Sequence, residues 1–581
     1  MSFDEEQLND LYAAFPDLQN NGAISSDDIR PALEKLGCPI AGHELREIQG
    51  GRARGGALCD IDELYQIYMK AKFLKIDSKK ILKDAILKGI QEAKTYDTEH
   101  LKGDPDCEAL GLIPIDSDVD GQLYERCKNG IILAKMINVA VPNTIDDRTL
   151  EKGESLKAIF KRNENLTLVV NSAAAIGCCM VNIGPEDISG ARRHLVCGLI
   201  WQLIRKAIVD TITLAQHSEL AALLLPGETL EQLAALKPED LLMRWVNFHL
   251  SNANSVRRLT NFTTDLCDSE IYAILMEQIT PLDLRSKLIS SKVILEEPSL
   301  EKRAYMVMEN ARLLDAGTLL IPEDIYTAKP GSHSDKLNLG FIATLFNMYP
   351  GMETPGDLNI QPETLEEKTY RNWMNSMGVS PILIDIIRPG TVDWKQVTTT
   401  FDPKRELFQK QTNCVLVIDY SKVIGIKVVN ISGEDIREGA TKQILGLCFQ
   451  FMRAYTHKLL KRASGEGSNA PIEDAEILTW VNDRLRGVGE PSISGFRDHA
   501  LSNSRPIVAV LESISSKGAS RNMLTDDNFA NAVYALSSCR KAGARVYALP
   551  EHICTCNPKM IITIFACLIV LSYSLKVVPN Q

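Results

Sequence analysis

No Cys-x-x-Cys pair occurs in the 581 residues, and Cys178-Cys179 and Cys554-x-Cys556 are the only close cysteines among fourteen. With Cys/His zinc spacing also missing, the thiols read as reduced side chains of a cytosolic protein rather than a disulfide framework or metal cluster. Positive charge is in deficit: 64 Lys and Arg against 75 Asp and Glu leave a net charge of −11. That excludes the broad basic face of a nucleic-acid binder, and an acidic partner has to be attracted through local Lys/Arg patches. Gly465-Glu466-Gly467 sits in a Gly/Ser-rich stretch without the strand-to-helix context of a phosphate loop. Nine histidines are scattered with none paired at ligand spacing, and no nucleophile–base constellation stands out, so an enzyme has little support. The N-terminus, Met-Ser-Phe-Asp-Glu-Glu, lacks a signal-peptide pattern. Long apolar runs are nearly absent. The exception, Met560 to Leu575, is uncharged but shorter than the roughly 20 residues a bilayer requires, so it reads as a core helix, with a tail anchor as the competing reading.

What is present is a phrase repeated along the chain. Asn165, Asn413 and Asn531 each lie twelve residues before a glycine (Gly177, Gly425, Gly543). An apolar stretch follows, then Glu186-Asp187-Ile188, Glu434-Asp435-Ile436 or Glu551-His552-Ile553. A looser copy runs from Tyr305 through Gly317 to Glu323-Asp324-Ile325. The period exceeds a hundred residues, too long for a solenoid unit of roughly 20–50 and the size of a domain. Pro/Gly/Asn-rich and Gly/Ser-rich linkers cut the chain into a headpiece at 1–72 and units at 96–215, 238–350, 367–460 and 472–580.

Helices account for the patterning. Leu241 to Phe248, Tyr370 to Asn375 and Ile477 to Asn482 are tryptophan-bearing opening helices, with Trp245, Trp373 and Trp480 expected as core anchors. Pro238 suits a first helical turn and Glu239-Asp240 its positive dipole end. Apolar helices near 198–204, 339–346, 445–453 and 560–570 close the units. In the repeated phrase an amphipathic helix is stopped by a glycine in the left-handed conformation, and the Glu-Asp pair starts the next helix. The fold class is all-α.

These segments, with Lys128-Asn129-Gly130 to Asn138 and Val141-Pro142-Asn143-Thr144-Ile145-Asp146, resemble calponin-homology domains. Four of them behind an EF-hand headpiece resemble the plastin/fimbrin family of actin-bundling proteins. The resemblance implies two tandem domain pairs, each an actin-binding unit, in a cytoplasmic, cytoskeletal monomer that binds filamentous actin, with no nucleic acid or membrane partner. It carries candidate actin contacts onto Gln202, Arg205 and Lys206 at the end of the first unit, Arg244 and His249 on the opening helix of the second, and Gln450 and Arg453 in the third. Cations among apolar residues suit an acidic surface, although such side chains also edge core helices.

Three stretches depart from the family pattern. Thr95 to Pro105 is short and polar where the first unit needs a tryptophan helix. The third unit is short, with Ser380-Pro381-Ile382 to Pro389-Gly390 in place of a helix, and the C-terminal end is altered. In the headpiece, Asp17, Gln19, Asn21, the Ala23 carbonyl and Asp28 occupy EF-hand ligand positions around Gly22 and Ile24. Two carboxylates predict weak Ca2+ binding at best, and no cofactor is required. The second loop, 52–63, carries Arg52 and Arg54 at ligand positions and cannot hold the ion. The expected function is filament cross-linking. The alternatives are a calponin-homology scaffold or regulatory binder that has lost bundling and a protein tethered to a membrane by its C-terminal run.

Overall fold

A computed structural model describes residues 11–16, 18, 22–25, 28–36, 58–61, 64, 67–68, 112, 115, 121–316, 319–331, 334–356, 363–378, 383–464, 473–515 and 519–577. The chain divides into two compact units, 1–90 and 91–581.

In the first unit, strands β1 (Ala23–Ser25) and β2 (Leu58–Asp60) pair antiparallel, with Ile24 opposite Cys59. These are the eighth positions of the two candidate loops, and both are buried with Leu11, Leu18, Leu33 and Leu64. Gly22 turns into β1 at φ +74°, a value that glycine adopts without a Cβ penalty. Helix α1 (Ile29–Lys35) follows, burying Ile29, Ala32 and Leu33.

Helices are the regular structure of the second unit, with no strand among its described residues. Its main helices are α2 (Ile131–Ala140), α3 (Ile159–Ala175), α4 (Arg193–Ile208), α5 (Pro238–Asn252), α6 (Glu270–Ile279), α7 (Leu300–Leu313) and α8 (Ser334–Met348). Then come α9 (Leu365–Ser376), α10 (Leu383–Ile387), α11 (Glu406–Val423), α12 (Thr441–Ser464), α13 (Asp474–Gly487), α14 (Arg505–Ile514), α15 (Asn528–Ala542) and α16 (Pro558–Val577).

The repeated phrase is a clamp. Asn165 accepts from the Glu151 amide at 2.9 Å and donates to the Glu151 carbonyl at 3.0 Å. Asn413 does the same to Thr398 and Asn531 to Thr525, so each asparagine ties a preceding segment to its helix through both backbone groups. Gly177, Gly425 and Gly543 end these helices at φ +88°, +87° and +111°. In the second domain the left-handed residue is Asp315 (φ +55°), and Arg303, twelve residues earlier, donates to the Glu297 and Leu295 carbonyls. Gly317 of the looser copy lies outside the described residues, and in this domain the two-way amide clamp is made later on the helix by Asn310, which accepts from the Ile289 amide and donates to its carbonyl, both at 2.8 Å.

Trp245 and Trp373 are fully buried anchors, whereas Trp480 is only half-buried beneath Arg484. Ile477, Val481 and Leu485 form the buried stripe of α13 instead. The segment 95–105 lies outside the described residues.

Ser380 to Ile382 lie outside the described residues, but the stretch to Gly390, expected to lack a helix, does hold one: α10, whose five described residues bury only Ile384, where α2, α6 and α14 have ten residues each. Of the 18 residues of α11, only Ile418 and Ser421 are buried. The apolar C-terminal run forms α16, whose Met560, Ile561, Ile564, Phe565, Leu568 and Ile569 are buried in the core shared by the third and fourth domains. α16 is long and apolar enough to cross a membrane, yet half of its apolar window is committed to that core.

The first and fourth domains are joined through α3 and α15. Asn171 donates to the Arg540 carbonyl at 2.8 Å. The buried Arg540 guanidinium donates to the carbonyls of Thr144, Val546 and Ala548. Lys541 reaches Glu151 at 2.8 Å and Glu164 at 3.8 Å. Burial alone would raise the Glu151 carboxyl, but hydrogen bonds from Lys541 and Lys161 outweigh it and hold the group down at about 2. A carboxylate depressed in the fold stabilises above its unfolded value and loses that contribution as pH falls towards the folded one. The contact is therefore expected to weaken between the ordinary carboxylate value of 4.5 and about 2. Glu151→Gln should flatten the acid limb of a urea-denaturation series taken across that range.

Candidate functional site

The candidate residues fall on two corresponding edges, one in each domain pair. On α4, Val196, Leu199, Leu203 and Ile208 face the core. Gln202, Arg205 and Lys206 lie at its margin, each half-buried. Gln202 accepts from the Cys179 amide at 2.6 Å and donates to the Cys179 carbonyl at 3.1 Å, bracing the chain just after Gly177. Lys206 pairs with Asp210 at 2.8 Å. Arg205 meets Asp210 at 3.2 Å and Glu239, in the first turn of α5, at 2.7 Å.

Arg453 repeats that arrangement. It occupies the equivalent place on α12 and pairs at 2.7 Å with Asp474, the first residue of α13. In both pairs an arginine on the closing helix of the leading domain thus staples the acidic start of the next domain's opening helix, where a carboxylate also complements the helix dipole. Gln450, one turn before Arg453, is half-buried.

Arg244 on α5 pairs with Glu228 at 2.7 Å. The arginine, with help from the Leu225 amide, lowers the carboxyl of Glu228. His249 is 3% exposed and therefore presents no surface to a partner. Its Nε2–H donates to the Pro350 carbonyl at 3.1 Å, beside the 2.7 Å bond from Trp245 Nε1 to the same oxygen. Burial depresses its protonation, and its ring packs edge-on to Trp245 and Phe248. Gly351 (φ +61°) lies against it, where a Cβ would come within 2.9 Å of the ring. A helical position alone could not distinguish this internal bracket from a surface histidine.

Sequence reasoning missed one shared surface feature. Ile159-Phe160 and Leu407-Phe408 are exposed at the same place in the repeat, six and five residues before Asn165 and Asn413. The fourth domain carries Thr525-Asp526 there. Alignment on the repeated asparagine is the signal that finds the pair.

In the headpiece, Asp17, Gln19 and Asn21 lie outside the described residues, as do Arg52 and Arg54. Ala23 pairs with Asp60 across the strands, and the Asp28 carbonyl accepts from Ala32 at 2.9 Å at the start of α1.

A model of the calponin homology (CH) domain matches residues 99–208, 236–351, 381–457 and 471–573. The third match starts beyond α9. Fimbrin of Dictyostelium discoideum is 36% identical over 617 residues, covering 98% of this chain and 98% of that protein. Plastin-3 of Homo sapiens is 35% identical over 629 residues, covering 97% of each. Both alignments are longer than the 581-residue chain, so the relatives carry stretches without a counterpart here. The crystal structure of the actin-crosslinking core of Schizosaccharomyces pombe fimbrin matches with a TM-score of 0.68 and 31% identity, covering 83% of this chain and 99% of that one.

Proposed function

This chain belongs to the fimbrin/plastin family of proteins with four calponin-homology domains, and from that premise we propose that it binds filamentous actin and cross-links filaments into bundles. The observation that carries the proposal is the duplicated edge: Arg205–Glu239 and Arg453–Asp474 organise two equivalent domain pairs within one chain. Two such units grip two filaments without a second copy being needed, and the function is mechanical rather than catalytic. The unit boundaries at 96–215, 238–350, 367–460 and 472–580 stand as the proposed domains.

In this reading Gln202, Arg205, Lys206 and Arg244 form the first filament-facing edge, with His249 fixing its shape from beneath. Gln450 and Arg453 belong to the second. The ion pairs hold the cations in place while leaving part of each side chain in water, and actin's acidic surface supplies the complementary charge. The protein acts in the cytoplasm on the cytoskeleton. A first loop with two carboxylates would hold Ca2+ weakly, and filament binding does not require the ion.

The competing reading is a regulatory binder with one working site, favoured by the short α10 and the poorly covered α11. Co-sedimentation with actin filaments separates the two. Bundles pellet at low speed, and that result is expected. Pelleting only at high speed would overturn cross-linking in favour of single-site binding.

A further inference from the structure

We propose that His552 is an acid-released latch: while neutral it closes the turn that seats α16, and its protonation unfastens that turn and weakens the second filament unit. The short helix of each repeated phrase starts with the same reciprocal cap. In the first three domains an aspartate accepts from the backbone amide three residues earlier: Asp187 from Gly184 at 2.9 Å, Asp324 from Ile321 at 3.2 Å and Asp435 from Ser432 at 2.7 Å. In the fourth domain the short helix Pro550–Cys554 carries His552 at that position, and its Nδ1 accepts from the Leu549 amide at 3.1 Å. That bond places the ring proton on Nε2.

A carboxylate in this place keeps accepting at neutral and mildly acid pH, whereas an imidazole accepts only while neutral. His552 is 1% exposed, and its Nε2 has no hydrogen-bond partner among the described residues. Protonation would set a second ring N–H against the Leu549 N–H and put a positive charge at the positive end of a helix. Glu551 in the same turn and Glu366 on α9 favour the charged ring, but burial outweighs them and holds its protonation down. The cations of the packed elements are committed elsewhere: Lys559 of α16 pairs with Glu366 at 3.2 Å, Arg540 of α15 donates to backbone carbonyls, and Lys541 reaches Glu151. A histidine that the fold keeps neutral supports stability fully above its ordinary value of 6.5, and that support is lost as pH falls from there through the lower folded value.

The release has a path to the core. The His552 carbonyl accepts from the Asn557 amide at 2.8 Å, and the Asn557 side chain caps α16 by accepting from the Lys559 amide at 3.1 Å. Opening the turn therefore loosens the first turn of α16, which carries the Lys559–Glu366 pair to α9.

Hydrogen exchange of the full chain, read on residues 546–557 and corrected for the intrinsic pH dependence of amide exchange, tests the latch. Between about pH 7.5 and 5.5, where histidines titrate, opening of this segment should rise severalfold in the unsubstituted protein. His552→Asp and His552→Asn each keep an acceptor that stays available over that range, so both should hold the opening level. His249 and His457 are also kept neutral by burial and are present in every chain, so the difference between chains isolates His552. The effect on bundling rests on the function proposed above: low-speed pelleting with actin should fall over the same range and persist in the two variants. Exchange that stays level in the unsubstituted chain, or rises equally in both variants, overturns the latch. Pelleting that is equally acid-sensitive in all three chains overturns its hold on the filament unit, whereas failure to bundle at any pH counts against the function and leaves the exchange result to decide the latch.

Discussion

Lys541→Met is expected to lower the stability of the four-domain core by up to about 3–5 kcal/mol, because it removes the buried one of the two cations that compensate Glu151 and the buried Glu164. The lysine is 3% exposed and sits between Glu151 and Glu164 on the far side of the α3–α15 contact. Lys161 also reaches both acids, so it retains part of their compensation and sets the lower end of the range. Urea denaturation of the full chain measures the loss. Lys157→Met, which removes an exposed pair with Glu154, serves as the control and is expected to change stability by less than about 1 kcal/mol. Equal effects at the two positions would mean that the contact between the first and fourth domains contributes nothing beyond a surface ion pair.

The second large effect is expected at Trp373. It is 1% exposed, packs towards Tyr455 at a ring distance of 6.0 Å, and anchors a domain in which α10 fully buries only Ile384, with Leu383 and Ile387 half-buried against the core. Truncating a buried tryptophan costs about 3–5 kcal/mol, and the third domain has few other anchors with which to absorb it. Trp373→Ala should therefore melt that domain first and convert a bundler into a single-site binder. Pelleting with actin at high speed should survive while pelleting at low speed is lost. Unchanged low-speed pelleting would remove the third domain from the second filament site.

Much of this architecture was legible in the chain because helix starts and stops are local events. A left-handed glycine and an acidic first turn declare themselves at Gly177, Gly425 and Gly543 without reference to the rest of the molecule. The second domain broke the spacing because its two-way amide clamp sits later on the helix, at Asn310, while Arg303 at the expected position only donates to carbonyls. The candidate cations were harder to interpret. Arg205 and Arg453 read as contacts for an acidic partner or as the edge of a core helix, whereas their partners Glu239 and Asp474 come from the following domain, and only folding brings them together. His249 shows the opposite limit: its place on a helix was readable, but burial beneath Pro350 and Gly351 depends on chain a hundred residues away.

Joining the first domain to the last has a mechanical consequence. If one pair holds one filament and the second pair another, sliding of those filaments loads the α3–α15 seam in shear. No covalent link crosses it, so Arg540 and Lys541 act as bolts whose strength sets how far a bundle can creep before its cross-links yield.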